Sequence, residues 1–184
     1  MSENFALTIQ NMKKKQLAIE IKKCNEMTIK YGVTLSDTQI ENLINKRFES
    51  LKATGRVEFG DGVLKDLIEA FCDSPYIMQE NYEETLEELQ DIFYFFKEEA
   101  MEQISDDELI EFMKRDFDGK CQGSIEYLSG TSLEELCRGT RYGLKMSNQI
   151  DNPIYFQGAN YKEPYLEESK ATWQEMREFL EEIF

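Results

Sequence analysis

The thiol of Cys121 is the one side chain whose neighbours suggest a reactive group. It follows Lys120 and precedes a predicted helix start at Ser124, and a neighbouring cation and a helix dipole both favour the thiolate. Redox sites with a single thiol, however, follow a strand in an α/β unit, and the position where a phosphatase loop needs arginine holds Tyr127. Cys121 is therefore a candidate catalytic residue, with a packed or merely exposed thiol as the favoured interpretation.

The 184-residue chain contains no histidine. This excludes the usual general base, Ser-His and Cys-His nucleophile pairs, and zinc or di-iron sites with histidine ligands. The cysteines are far apart in the sequence and form no Cys-x-x-Cys pair, so we expect four reduced thiols rather than disulfides or a zinc cluster. They are Cys24, Cys72, Cys121 and Cys137.

The acidic residues Asp116 and Asp118 before Gly119 invite comparison with a calcium loop. With Gly119 at the sixth loop position, Lys114 occupies the first ligand position and Ile125 the twelfth, where glutamate is required. A helix that ends at Gly119 accounts for the same residues. We therefore expect no metal and no cofactor.

Charge is unevenly distributed along the chain, which has 21 basic and 37 acidic side chains and a net charge of −16. Residues 1–60 hold 10 basic and 7 acidic groups, or +3, so the remainder carries −19. Two basic helices followed by a short hairpin have the outline of a winged helix-turn-helix, which makes a nucleic-acid-binding regulator the alternative function. Because acidic residues interrupt the basic patch, nucleic acid is not the expected partner. The phosphate-binding residues under this alternative are Lys13, Lys14, Lys15, Lys22 and Lys23.

The fold class follows from helical spacing of apolar residues and from the presence of only 3 prolines. We predict an all-α, single-domain bundle of about six to eight helices, with at most one very short hairpin near residues 56–63. The hairpin prediction rests on alternating apolar and polar residues before Asp61-Gly62. The predicted helices span about 11–31, 36–54, 63–71, 82–104, 105–118 and 131–145.

Local signals predict where these helices begin and end. Three have the form of a capping box, namely Ser36 with Gln39, Ser105 with Glu108, and Thr131 with Glu134. Pro75 is placed as the first residue of a new helix, and Gly32 and Gly55 as helix stops. Because Ile92 and Phe95 are both apolar, the 82–104 helix is expected to be covered on more than one side.

The last part of the chain differs from the helical body, which we assign to residues 1–146. Residues 147–164 are predicted to be an irregular, aromatic-rich connection, and residues 165–184 an amphipathic helix that packs on the body or on a partner. Aromatic residues are favoured at interface centres. The candidate partner-binding residues are Tyr155, Phe156, Tyr161, Tyr165 and Trp173.

Four segments resemble an uncharacterised bacterial family, a domain of unknown function of similar length. They are Gly55-Arg56-Val57-Glu58-Phe59-Gly60, Phe71-Cys72-Asp73-Ser74-Pro75-Tyr76-Ile77, Ser105-Asp106-Asp107-Glu108-Leu109-Ile110 and Cys121-Gln122-Gly123-Ser124. The resemblance spans most of residues 10–140. It implies a soluble, mainly helical bacterial protein and carries over no catalytic residue.

The sequence favours an interaction or regulatory module with no evident catalytic activity. We expect a protein partner or self-association, a cytoplasmic location because no secretory signal is apparent, and no membrane contact because no apolar run reaches 18 residues. The acidic stretch 83–111 is read as a solvated helix face, with a basic partner as its alternative. The nucleic-acid-binding regulator is the second function, and a thiol enzyme at Cys121 is the third.

Overall fold

The computed structural model describes residues 2–58, 62–100 and 103–141, with the backbone alone for residues 2–10 and for Arg141. None of the described residues forms a strand, and more than half of the chain lies in α-helices, which confirms the all-α prediction. No described helix has the length and apolar composition that crossing a bilayer would take. The elements are α1 (Ser2–Thr28), a 3₁₀ turn (Ile29–Tyr31), α2 (Asp37–Thr54), α3 (Gly62–Phe71), α4 (Tyr82–Glu99), α5 (Asp106–Asp118), α6 (Ile125–Tyr127), a π-helical turn (Leu128–Leu133) and α7 (Glu134–Arg141).

Two of the predicted capping boxes are present. At the start of α2, the Ser36 hydroxyl accepts the Gln39 backbone N–H at 3.3 Å, and the Gln39 side chain accepts the Ser36 N–H at 2.9 Å. Ser105 and Glu108 exchange the same bonds at the start of α5. These reciprocal bonds satisfy backbone donors that the first helical turn leaves unpaired.

The hairpin signal near residues 56–63 does not produce a strand in the part that the structure describes. Residues 56–58 are irregular, and α3 already begins at Gly62. Instead of pairing with a second strand, this segment is held by side-chain contacts to helices, since Glu58 pairs with Arg47 at 2.9 Å and Arg56 pairs with Asp106 at 2.8 Å. Residues 59–61 lie outside the described residues.

The helix predicted over 82–104 is shorter, because α4 ends at Glu99 and Ala100 is its cap. Ile104 is still buried, but it packs from the turn that precedes α5. Ile92 is buried, as expected, whereas Phe95 is 55% exposed, so the prediction that α4 is covered on more than one side fails only at Phe95. The apolar run around Phe95 is therefore not a purely buried segment.

Two predicted helix starts were also wrong. Pro75 lies in a series of turns, where the Ser74 hydroxyl donates to Asp118 at 2.5 Å, and α4 begins after Asn81 instead. Thr131 does not cap a helix, since it lies inside the π-helical turn that leads directly into α7. Unpaired backbone N–H groups occur only in the first turn of a helix. Because the helical segment is already continuous at Thr131, its hydroxyl has no such N–H group to cap. The predicted extension of this helix to 145 lies outside the described residues.

Helix α2 is the centre of the N-terminal half, since it packs against both α1 and α4. Helix α3 contacts α1, α2, α4 and α5, and the π-helical turn packs on α5. Apolar side chains meet at these crossings, as where the Phe71 and Phe117 rings pack edge to face with centroids 5.5 Å apart. Helices α1 and α4 therefore each have one face against α2 and another toward solvent.

A buried ion cluster joins α2, the segment after Gly55, α4 and the start of α5. Its first anion is Glu58, which accepts hydrogen bonds from Arg47 Nη2 at 2.9 Å and from the Tyr94 hydroxyl at 3.0 Å. The side chains of Arg47 and Glu58 are 4% and 5% exposed. Burial raises the pKa of Tyr94, and the Glu58 carboxylate adds to that increase. The cluster consists of Arg47, Arg56, Glu58, Tyr94, Lys97 and Asp106.

The second anion of the buried ion cluster is Asp106. Its carboxylate oxygens Oδ2 and Oδ1 accept hydrogen bonds from Arg56 Nη2 at 2.8 and 2.9 Å. Lys97 Nζ lies 2.8 Å from Oδ1. Lys97 also donates to the Ile104 carbonyl. Buried charges are tolerated only when they are paired and hydrogen-bonded, so this cluster fixes where the chain after α2 meets α4 and α5.

Candidate interaction surface

Cys121 lies in the core, at 5% exposure, with its sulfur 3.6 Å from the Ser132 hydroxyl. Burial raises the pKa of the thiol, against the effect of the Ser132 hydrogen bond, and Asp116 raises it further. The environment that Lys120 and a helix start were expected to provide is therefore the reverse of one that favours a thiolate. Within the described residues, no group of acidic, cysteine or histidine side chains is placed to hold a metal ion.

Open cavities lie along α3 and α5, and charged side chains of both signs line them. One of about 510 Å³ borders the buried ion cluster at Arg56 and Asp106. Another of about 550 Å³ is lined by carboxylates of both helices, together with Lys114 and Arg115. Because Arg56 already binds Asp106 with two hydrogen bonds, its guanidinium is committed to the fold.

The side of α1 that faces solvent carries apolar residues between lysines. Leu17, Ile21 and Cys24 form the buried stripe against the bundle. The opposite side carries Met12 at 66% exposure and Ile19 at 53%. The helical spacing of 3 and 4 residues places these two on one face with exposed charged residues. We call this the α1 outward face, and its members are Met12, Lys15, Ile19, Lys22, Lys23 and Glu26, together with Lys30 in the 3₁₀ turn that follows the helix.

The lysines proposed for nucleic-acid binding do not form a single free patch. Lys14 is half-buried, donates to Asn45 at 2.6 Å and lies over the Phe48 ring. Lys22 pairs with Asp37 at 2.5 Å. The remaining three are exposed, but only Lys15 and Lys23 belong to the α1 outward face, and Lys13 does not.

The solvent side of α4 has the opposite charge. Exposed residues recur there at 4, 3, 4 and 3 positions, and all but one are acidic. The exception is Phe95. Glu87, at the edge of this row, has its pKa raised by partial burial and by the neighbouring carboxylates, most of all Glu83. We call this row the α4 outward face, and its members are Glu84, Glu88, Asp91, Phe95 and Glu98.

The sequence reasoning identified the lysines but missed the apolar residues among them. A second apolar series, Met12 and Ile19 at a spacing of seven, was the available signal, because it lies off the buried stripe. Tyr155, Phe156, Tyr161, Tyr165 and Trp173 lie outside the described residues.

Comparison with known proteins adds a family but no activity. No curated protein and no solved structure matches the chain. Residues 20–146, which contain the last nine residues of α1 and all of the later described helices, match a family of unknown function. The chain therefore belongs to that family, DUF6323.

Proposed function

We propose that this protein is an interaction module whose α1 outward face binds an acidic surface of a protein. The observation that carries this proposal is the exposure of Met12 and Ile19, both more than half accessible, on a helix face with Lys15 and Lys23. Apolar side chains at the centre and charges at the rim are the arrangement that protein interfaces use. The four buried cysteine thiols suit a reducing compartment such as the cytoplasm, where we place this interaction.

The apolar residues favour a protein over a nucleic acid as the partner. Each large aliphatic side chain gains about 1.5–3 kcal/mol when it is covered, and a phosphate backbone offers little apolar surface to cover it. The commitment of Lys14 to Asn45 and of Lys22 to Asp37 also reduces the number of lysines available for phosphates. The candidate residues of the tail, from Tyr155 to Trp173, are proposed as a second contact region.

The proposal is tested by placing a photo-crosslinking amino acid at position 19 of the full chain in its native cell. We expect a protein adduct at Ile19, and we expect its yield to fall when Lys15 and Lys23 are changed to glutamate. Tyr127 provides a matched control, because it is 48% exposed on α6 and lies on neither outward face. Equal adducts at both positions, or none at position 19, would contradict the proposal.

Exposed Lys13, Lys15 and Lys23 favour nucleic acid as the second candidate. A site that used these three lysines would show log affinity for duplex DNA falling with log salt at a slope of about −2.7. An adduct at position 19 that nuclease treatment removes, together with this slope, would replace the protein partner by a nucleic acid.

A further inference from the structure

We infer that the acidic surface bound by the α1 outward face is the α4 outward face of a second copy of this chain. The inference rests on the proposed function, since it names the partner of the same surface. In the resulting dimer, each copy places its α1 on the α4 of the other.

The two faces are complementary in charge and in apolar content. The α1 outward face has Lys15, Lys23 and Lys30, besides Lys22, which pairs with Asp37, against a single acidic residue of the face, Glu26. The α4 outward face has four carboxylates and no basic residue. Each also has exposed apolar side chains, Met12 and Ile19 on α1 and Phe95 on α4. Complementary charges select and orient partners, while the apolar side chains supply the area to be covered.

The two faces are also similar in length. Met12 to Lys30 spans 18 residues, about 27 Å, and Glu84 to Glu98 spans 14 residues, about 21 Å, at 1.5 Å per residue. Charged residues recur along both faces at helical spacing. Several ion pairs between the two faces can therefore form at the same time along their length.

The faces of one molecule do not cover each other. Helix α2 packs against both α1 and α4, and both outward faces are exposed to solvent. Within the described residues, Lys46 pairs with Asp91 of the α4 outward face at 2.6 Å, while Glu84, Glu88 and Glu98 remain exposed to solvent. A second molecule brings a basic surface to these carboxylates.

Two-fold symmetry makes the proposed contact large enough to be stable. Specific protein interfaces bury about 1,200–2,000 Å² in total, and one helix face on another supplies only part of this. In a closed dimer the same contact occurs twice, once for each α1. A net charge of −16 on each copy disfavours other orientations, because they would oppose acidic surfaces.

Sedimentation velocity with two charge-reversed variants of the full chain tests the inference. Variant A carries Lys15→Glu and Lys23→Glu, and variant B carries Glu84→Lys and Glu88→Lys. These positions are exposed, and they avoid Lys22 and Asp91, which pair with residues of the same molecule. Circular dichroism verifies that both variants keep the helical fold.

We expect wild type to be a dimer in 50 mM salt and a monomer in 500 mM salt, because screening weakens contacts between exposed charges. Variants A and B should each dimerise about 100-fold more weakly, since like charges then face each other. An equimolar mixture of A and B should restore the dimer. In the mixed dimer the acidic α1 of A meets the basic α4 of B, and the unchanged basic α1 of B meets the unchanged acidic α4 of A.

Two further variants control for net charge. Glu134→Lys with Glu135→Lys matches the charge change of B, and Lys52→Glu with Arg138→Glu matches that of A, at exposed positions away from both faces. Both should dimerise like wild type.

The inference is overturned if wild type is monomeric in 50 mM salt, if it forms open polymers, or if the mixture of A and B stays monomeric. If position 19 still crosslinks to a different protein in that case, the proposed function stands while its partner is another acidic chain. If position 19 crosslinks to no protein, both proposals fail.

Discussion

The buried ion cluster and the α1 outward face are both rich in charge, and they show two opposite uses of it. In the cluster, Arg47 and Glu58 are almost inaccessible and bind each other at 2.9 Å. On α1, Lys15 and Lys23 extend into solvent beside Ile19. A charge whose partner lies inside the molecule specifies the fold, whereas a charge displayed beside exposed apolar residues is available to a partner.

The two regions therefore differ in what a substitution costs. Removing one member of a buried pair leaves the other charge desolvated and uncompensated. Removing an exposed charge changes little in the isolated molecule, because water replaces the lost interaction. The free energy of unfolding and the association of the protein should thus respond to different residues.

The largest effect on stability is expected from Glu58→Ala. It leaves Arg47 buried without its main anion and removes the acceptor of the Tyr94 hydroxyl, so we expect a loss of about 3–5 kcal/mol in the free energy of unfolding. Urea denaturation measures this change. Lys15→Glu serves as the exposed comparison and should change the same quantity by less than about 0.5 kcal/mol. A small effect of Glu58→Ala would contradict the structural role assigned to the cluster.

A smaller effect is expected from Gly62→Ala, which disturbs the same cluster from the start of α3. A Cβ atom at Gly62 would lie within clashing distance of Arg47 Nη2 and Glu58 Oε2, and its φ of 59° is left-handed. We expect a loss of about 2–4 kcal/mol, from strained backbone together with displaced ion pairs.

Gly55→Ala is the matched control for that change. Gly55 has a similar φ of 67° but no atom within 4 Å of the added carbon, so only the backbone penalty of about 1 kcal/mol applies. The difference between the two variants in urea denaturation measures the packing of the cluster around Gly62. Equal losses in the free energy of unfolding would show that the buried ion cluster can move away from the added carbon at Gly62 without loss of stability.

The sequence was sufficient to predict those parts of the fold that depend on neighbouring residues. The capping boxes at Ser36 and Ser105 involve partners three residues away, and Gly32 and Gly55 end helices by their own backbone freedom. Such signals are local, so helix ends could be predicted without knowledge of the tertiary structure.

The remaining features depend on partners that are distant in the sequence. Arg56 looked like part of a strand, but its partner Asp106 lies 50 residues further along the chain. The exposure of Phe95 could not be predicted from the sequence either, because α4 is apolar on several sides. Which of these sides is covered depends on how the neighbouring helices pack. On α1, the sequence identified Lys22 as basic but not its pairing with Asp37.

Acid should weaken the buried ion cluster through Asp106, and this is the smallest effect that we predict. Burial of Asp106 opposes its ionisation, but hydrogen bonds from Lys97 and Arg56 outweigh burial and lower the pKa of the carboxyl below its ordinary value of 3.8. The unfolded chain therefore binds this proton more tightly than the folded one. The stabilisation from Asp106 is present above pH 3.8 and is lost as the pH falls through the lower pKa of the folded state.

Asp106→Asn should make the stability less dependent on pH below 3.8, and urea midpoints at a series of pH values measure this. The variant will be less stable than wild type at neutral pH, with the difference narrowing in acid. Asp107→Asn, at the exposed neighbouring position, should retain the wild-type pH dependence. A parallel pH dependence for wild type and Asp106→Asn would show that the Lys97 and Arg56 contacts to this carboxylate do not stabilise the fold.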